Sequence, residues 1–201
     1  MGYETKNYER ASLERCIQPL VVKLLISGDS YSESTLPWTK QFNAQTVGYR
    51  GWSNREIYHS LNNTYSVAII SLTSLHRLPF KIQTLGYDEI NKSRNVTLSS
   101  NKKVFELNYY WAHRIIDEWA ERSVIWSTFP DYDSWKSVLS INLKQEDEMW
   151  DNIYKQTEPF DGHLTLLGHK QLQQLLVDEL KKKKLWDQAY LRRANEQTTE
   201  R

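Results

Sequence analysis

At 201 residues the chain is sized for one domain. Hydrophobic residues make up 39% and charged residues 25%, ordinary globular values that exclude wholesale disorder and provide for a packed core. The net charge of +1 gives no whole-molecule field to draw in a polyanion, so no nucleic-acid partner is expected.

Eight Trp and twelve Tyr are many for this length. Each buries a large area, so they are read as core filler ahead of a sugar-stacking role. Cys16 is the single cysteine, which precludes an intramolecular disulfide and suits a reducing compartment. The first residues lack the apolar core of a secretion signal, and the apolar stretch at 17–26 is too short and broken to span a bilayer. The expected location is therefore cytoplasmic, with no membrane span, and the three glycosylation-like triplets at Asn62, Asn91 and Asn95 are read as chance.

In chain order, residues 1–18 are a polar lead-in. Residues 20–26 form a short apolar run stopped by Ser27-Gly28-Asp29-Ser30, a buried strand feeding a loop. A shorter strand is expected around 44–47, then a helix over 55–61 capped by Ser53 or Asn54. Residues 66–72 are continuous and β-branched, the clearest strand, ending in Thr73-Ser74-Leu75-His76-Arg77. Residues 81–103 are polar and irregular, the expected mobile loop. Ala112, Ile115, Ile116 and Trp119 recur at helical spacing within 104–122, and 123–129 reads as another core strand. Residues 131–157 carry no clear period. Residues 164–185 form a strong helix with Leu167, Leu172, Leu175, Leu176 and Leu180 on one face. Residues 181–201 hold seven Lys and Arg against three Asp and Glu, and the run at 181–184 is read as a solvated helix end. The expected division is a domain over 1–185 and a basic tail over 186–201.

Buried strands alternating with amphipathic helices predict an α/β fold of three layers, with a central, mostly parallel sheet covered on both sides. Ligands bind such sheets beyond the carboxyl ends of the strands. That places Gly28–Ser30, residues 73–77 and residues 129–133 along one rim.

Three segments on that rim carry chemistry together: Gly28-Asp29-Ser30, Gly51-Trp52-Ser53-Asn54 and Asp161-Gly162-His163, the last entering the final helix. A serine just past a strand end is exposed and can be served by backbone N–H groups. A histidine on another loop can take its proton, and a carboxylate can fix the ring. Asp29 is read as a loop-bonding residue and His169 as a packing or capping one. No residues show metal-ligand spacing and no Gly-rich phosphate loop is present, so no cofactor is expected.

These segments resemble the GDSL/SGNH hydrolase family over roughly residues 20–180. Gly28-Asp29-Ser30 is similar to its nucleophile block, and Gly51 to the glycine whose N–H helps bind the oxyanion. His163, followed by Gly168 and His169, is similar to its last block. The resemblance implies a flavodoxin-like SGNH fold and a serine esterase or O-deacetylase acting on a small-molecule or glycan ester. Ser30 would be the nucleophile, His163 the base, and Asp161 or a backbone carbonyl the orienting group. Backbone N–H groups of Ser30 and Gly51, with Ser74, would meet the oxyanion, and His76 with Arg77 would bind an anionic substrate group or form a surface salt bridge. The sequence departs from the family where Thr73-Ser74-Leu75-His76-Arg77 replaces Gly-x-Asn-Asp, a version similar to some phage-encoded members. Asp161 also sits two residues before His163 instead of three. These departures support the competing reading: a weak or inactive SGNH-fold binding or structural protein, such as a phage virion component.

Overall fold

In the computed structural model, which describes residues 23–78, 101–141, 164 and 166–191, the three apolar runs become the middle of one sheet. These are β1 (Leu24–Ser27), β3 (Val67–Ser71) and β4 (Ser123–Ser127), and every residue in them is buried. β2 (Ala44–Thr46) and β5 (Leu139–Ser140) form the edges. All pairs are parallel, in the order β2-β1-β3-β4-β5.

Side chains alternate across a strand, so each central strand must feed two cores. Leu24, Ile26, Val67, Ile69, Val124 and Trp126 pack with Leu172, Leu176, Val177 and Leu180 of α3 (Leu166–Lys182). On the other face, Leu25, Ala68, Ile70 and Ile125 pack with Ile57 of α1 (Asn54–Ser60) and with Ala112, Ile115 and Trp119 of α2 (Lys102–Trp119). Helices on both sides of a parallel sheet make the three-layer α/β/α architecture that the alternating pattern predicts.

Element ends differ from the sequence reading for local reasons. α2 starts at Lys102, two residues before the expected 104, because the Asn101 side chain accepts from the Lys103 N–H and caps an exposed first turn. Residues 120–122 tighten into a 3-10 turn before β4. Ser53, one of the two expected caps, starts α1 with a reciprocal bond to Glu56. α3 begins at Leu166 rather than 164. Leu172, Leu176 and Leu180 share its buried face, whereas Leu175 is 40% exposed, because one residue back from Leu176 turns it about 100° around the helix. The Leu167 side chain lies outside the described residues, as do residues 81–100 of the loop expected over 81–103, whose last two residues are helical instead.

Residues 186–191 stay against the domain. Tyr190 is buried in the same core as α3, Trp186 packs beside it, and Leu191 pairs with Phe42. Burial pushes the Tyr190 phenol up to about 12. The Lys183 ammonium donates to the carbonyls of Ala120 and Ser123, tying the end of α3 to the entry of β4. Among the described residues no helix is long and apolar enough to cross a membrane.

Candidate active site

In the order 2-1-3-4-5 the chain winds outward in one direction from β1 and in the other from β3. The loops leaving those two strands therefore part and open a crevice, the position where doubly wound sheets bind ligands. Ser30 leaves β1 on one side of it. Residues 73–77 leave β3 on the other.

Gly28 lets the two loops start in contact. A Cβ there would lie 2.6 Å from Ser71 Cβ and 2.9 Å from the Ser71 carbonyl oxygen. The carbonyl belongs to β3 and has no room to retreat, so Gly28→Ala is expected to cost about 1–3 kcal/mol as overpacking in urea unfolding. An unchanged midpoint would contradict that packing.

Asp29 follows, with no solvent exposure. Its Oδ1 accepts from the Tyr31 N–H at 3.2 Å and from Ser71 Oγ at 3.4 Å, capping a single 3-10 turn over Ser30–Ser32. Burial raises the Asp29 carboxyl above its ordinary range, opposed by the positive charge of Arg77 and by the hydrogen bonds from Tyr31 and Ser71. The turn is pinned from below as well: Trp38 Nε1 donates to the Tyr31 carbonyl at 2.8 Å, and the Tyr31 ring meets Trp126 edge-on. Ser30 is the first residue of this turn. It is partly exposed, and its hydroxyl has no hydrogen-bond partner among the described residues.

The segment carrying Gly51 is fastened beside that turn. The Val47 N–H donates to the Ile26 carbonyl and the Tyr49 N–H to the Gly28 carbonyl, so the β1–β2 pairing continues past both strand ends. Gly48 sits against the Ser32 backbone so closely that a Cβ would collide with it. Gly51 then reverses the chain at φ 84°, a left-handed conformation suited to glycine, and delivers Ser53 to the start of α1.

Across the crevice the loop after β3 is fully engaged. Ser74 Oγ donates to Asp131 Oδ2 at 3.0 Å, and the Leu75 N–H reaches the same oxygen at 2.9 Å. The Ser74 hydroxyl proton is thus committed to a carboxylate. The His76 ring packs against Phe105, and the His76 backbone N–H donates to Ser74 Oγ. Arg77 directs Nε to Thr73 Oγ1 at 3.1 Å and its charge toward Asp29, so it is a half-buried internal cation rather than a surface one.

Four residues hold this loop, none given a site role of its own by the sequence, although Asn54 lies in the Gly51–Asn54 segment and Asp131 and Tyr132 in the rim segment 129–133. Asn54 donates to the Thr73 carbonyl at 3.3 Å and to the Tyr132 hydroxyl at 2.8 Å, and accepts from the Thr73 N–H at 3.1 Å. The Tyr132 hydroxyl donates to the Thr73 carbonyl, and Asn108 to the carbonyls of Leu75 and Arg77. Asp131 is the fourth. Asn108 did leave a signal: it lies four residues before Ala112, on the apolar stripe of α2, where a buried carboxamide requires partners.

His163 and Asp161 lie outside the described residues. Leu164, which follows His163, is buried in the core cluster against which Tyr31 packs. His169 is buried on α3 and lines a groove with Trp38 and Gln41. Among the described residues no cluster of His, Cys, Asp and Glu is arranged to hold a metal ion.

The fold and its crevice define a doubly wound α/β protein with a half-exposed serine at the switch point. No protein-family model matches the chain, and no characterised protein matches it in sequence.

Proposed function

We propose that this chain is a serine hydrolase of the SGNH type acting on small acyl esters, with acetyl esters of small molecules or glycans as the preferred class. The observation that carries the reading is Ser30: a partly exposed hydroxyl, without a hydrogen-bond partner among the described residues, on a pinned turn at the switch-point crevice, with the Gly51 segment strapped alongside. Leu164 adds support, because the residue next to His163 is anchored in the core that also receives Tyr31.

In the proposed reaction His163 takes the proton of Ser30 as Oγ bonds to the ester carbonyl carbon. The carbonyl electrons move onto oxygen, which faces the backbone N–H groups of Ser30 and Gly51. The tetrahedral species collapses as the carbon–alkoxide bond breaks, and His163 returns its proton to the leaving alcohol. Water then repeats the sequence on the acyl-enzyme and releases the acid. Asp161 or a backbone carbonyl orients the imidazole. The Ser74 hydroxyl could serve the oxyanion only by releasing Asp131, so the backbone donors carry more of that work.

A fluorophosphonate probe tests the reading. One adduct per chain, on the Ser30 peptide and absent from Ser30→Ala, is the expected result. A folded protein that never labels would sink it. The engagement of Ser74 by Asp131 favours a second reading, in which a non-catalytic SGNH-fold protein, such as a phage virion component, binds a glycan without cleaving it. Glycan binding by a chain that never labels is its signature.

A further inference from the structure

Trp38, Trp126, Tyr132 and Tyr190 are buried, as core filler should be. Tyr49 is not. At 54% it is the most exposed large apolar side chain among the described residues, and it stands on the strap beside the Ser30 turn. Its backbone is held on both sides. The Tyr49 N–H donates to the Gly28 carbonyl at 3.2 Å, and the Tyr49 carbonyl accepts from the Trp52 N–H at 3.3 Å. Gly28 lies two residues before Ser30, a span of at most about 7 Å, so Tyr49 is anchored next to the turn that presents the hydroxyl.

The bond from Trp52 closes a four-residue turn over 49–52. Its third position is Gly51 at φ 84°, the conformation that a type II turn requires there. The first and last side chains of the turn meet: the Tyr49 and Trp52 rings lie 6.3 Å apart between centroids, tilted by 35°. Trp52 also packs on the core of the α1 and α2 face, so the pair is rooted at one end and open at the other. Its rim is polar. Arg50, inside the same turn, directs Nε toward the Glu33 carboxylate, 4.0 Å away at the end of the Ser30 turn, and both side chains reach solvent.

Size and charge narrow what this surface fits. A protein partner needs about 800 Å² on each side, whereas two aromatic rings supply about 150–250 Å² each when wholly covered, and Trp52 is already partly hidden. An acyl chain is apolar along its length and calls for an enclosed slot, not an open pair edged by charges. A phosphate would meet an arginine whose charge Glu33 already balances. A pyranose matches: its flat face carries C–H groups for the rings, and its edge carries hydroxyls for a guanidinium donor and a carboxylate acceptor. The backbone bonds fix the turn in advance, and a tyrosine has only two side-chain angles to order.

We propose that Tyr49 and Trp52 form a stacking platform for a pyranose ring of the substrate, with Arg50 and Glu33 meeting its hydroxyls. The class of substrate is then a glycan ester. That last step rests on the serine-hydrolase reading; the platform itself does not.

The test is the indole N–H resonance of Trp52 in the full chain, titrated with unacetylated xylo-, manno- and chito-oligosaccharides and, separately, with adenosine. At least one oligosaccharide is expected to move it saturably, with adenosine without effect. Tyr49→Ala should abolish that response. It should also lower, roughly tenfold or more, the ratio of kcat/KM on the acetylated form of the oligosaccharide that binds to kcat/KM on p-nitrophenyl acetate. Tyr49→Phe keeps the ring and should retain both; Tyr49→Leu keeps apolar bulk without a flat face and should behave as the alanine does. A resonance that ignores all three oligosaccharides, answers only adenosine, or responds equally in Tyr49→Ala would overturn the proposal. If Ser30 labels and no oligosaccharide binds, the hydrolase reading stands and the platform falls. If binding is lost in Tyr49→Ala while the wild type never labels, the platform stands and the hydrolase reading alone falls.

Discussion

Asn54→Ala is expected to lose about 3 kcal/mol or more of stability in urea unfolding, far beyond what its small volume suggests. The side chain is fully buried and its carboxamide is fully used: Nδ2 serves Thr73 and Tyr132, and Oδ1 accepts from the Thr73 N–H. Alanine would strand the Thr73 N–H where no water reaches it and take a donor from the Tyr132 hydroxyl. Each buried group left unsatisfied costs about 1–3 kcal/mol, and here two are affected at once. Asn54→Asp separates the contributions, because it keeps the acceptor for Thr73 but loses both Nδ2–H bonds and buries a charge. A loss at least as large is expected from it. By contrast, Glu106→Ala should change little, since the Lys102–Glu106 pair is exposed on α2 and such pairs contribute about 0–1 kcal/mol. If Asn54→Ala and Glu106→Ala behaved alike, the carboxamide would not be holding the rim.

That network also marks where reading the sequence reaches its limit. β1, β3 and β4 were legible because a strand buried on both faces must be apolar throughout, and continuous runs such as residues 66–72 advertise it. β5 was not legible. Its two residues are held by pairing with Trp126 and Ser127 rather than by a period of their own, and two residues cannot show one. On the rim, the approach of the Ser30 turn and the segment leading to Gly51 could be anticipated, since both leave strands of one parallel sheet at the same edge. The partners of Asn54 could not: Thr73, Asn108 and Tyr132 lie 19, 54 and 78 residues away, and no local pattern encodes bonds across such distances. Asp29 falls between these cases. Its bond to the Tyr31 N–H is the local geometry expected of Asp in a turn, whereas the charge that compensates it arrives from Arg77 on another strand's loop.

Ser30→Ala and His163→Ala should each remove about four orders of magnitude or more from kcat/KM on a simple acetyl ester, and the double variant should lose no more than the worse single one. The two side chains serve one shared step. If His163 exists in the reaction only to take the proton of Ser30, nothing remains for it to do once the hydroxyl is gone. On the proposed reading, what survives is binding plus the backbone donors at Ser30 and Gly51, which all three variants would keep. The wild-type rate should rise with pH as the His163 ring loses its proton, because only the neutral ring accepts one. Ser30→Ala should lose that dependence along with the rate. Losses that multiplied in the double variant would mean that the hydroxyl and the imidazole contribute separately, and a Ser30–His163 couple would then be the wrong chemistry for this crevice.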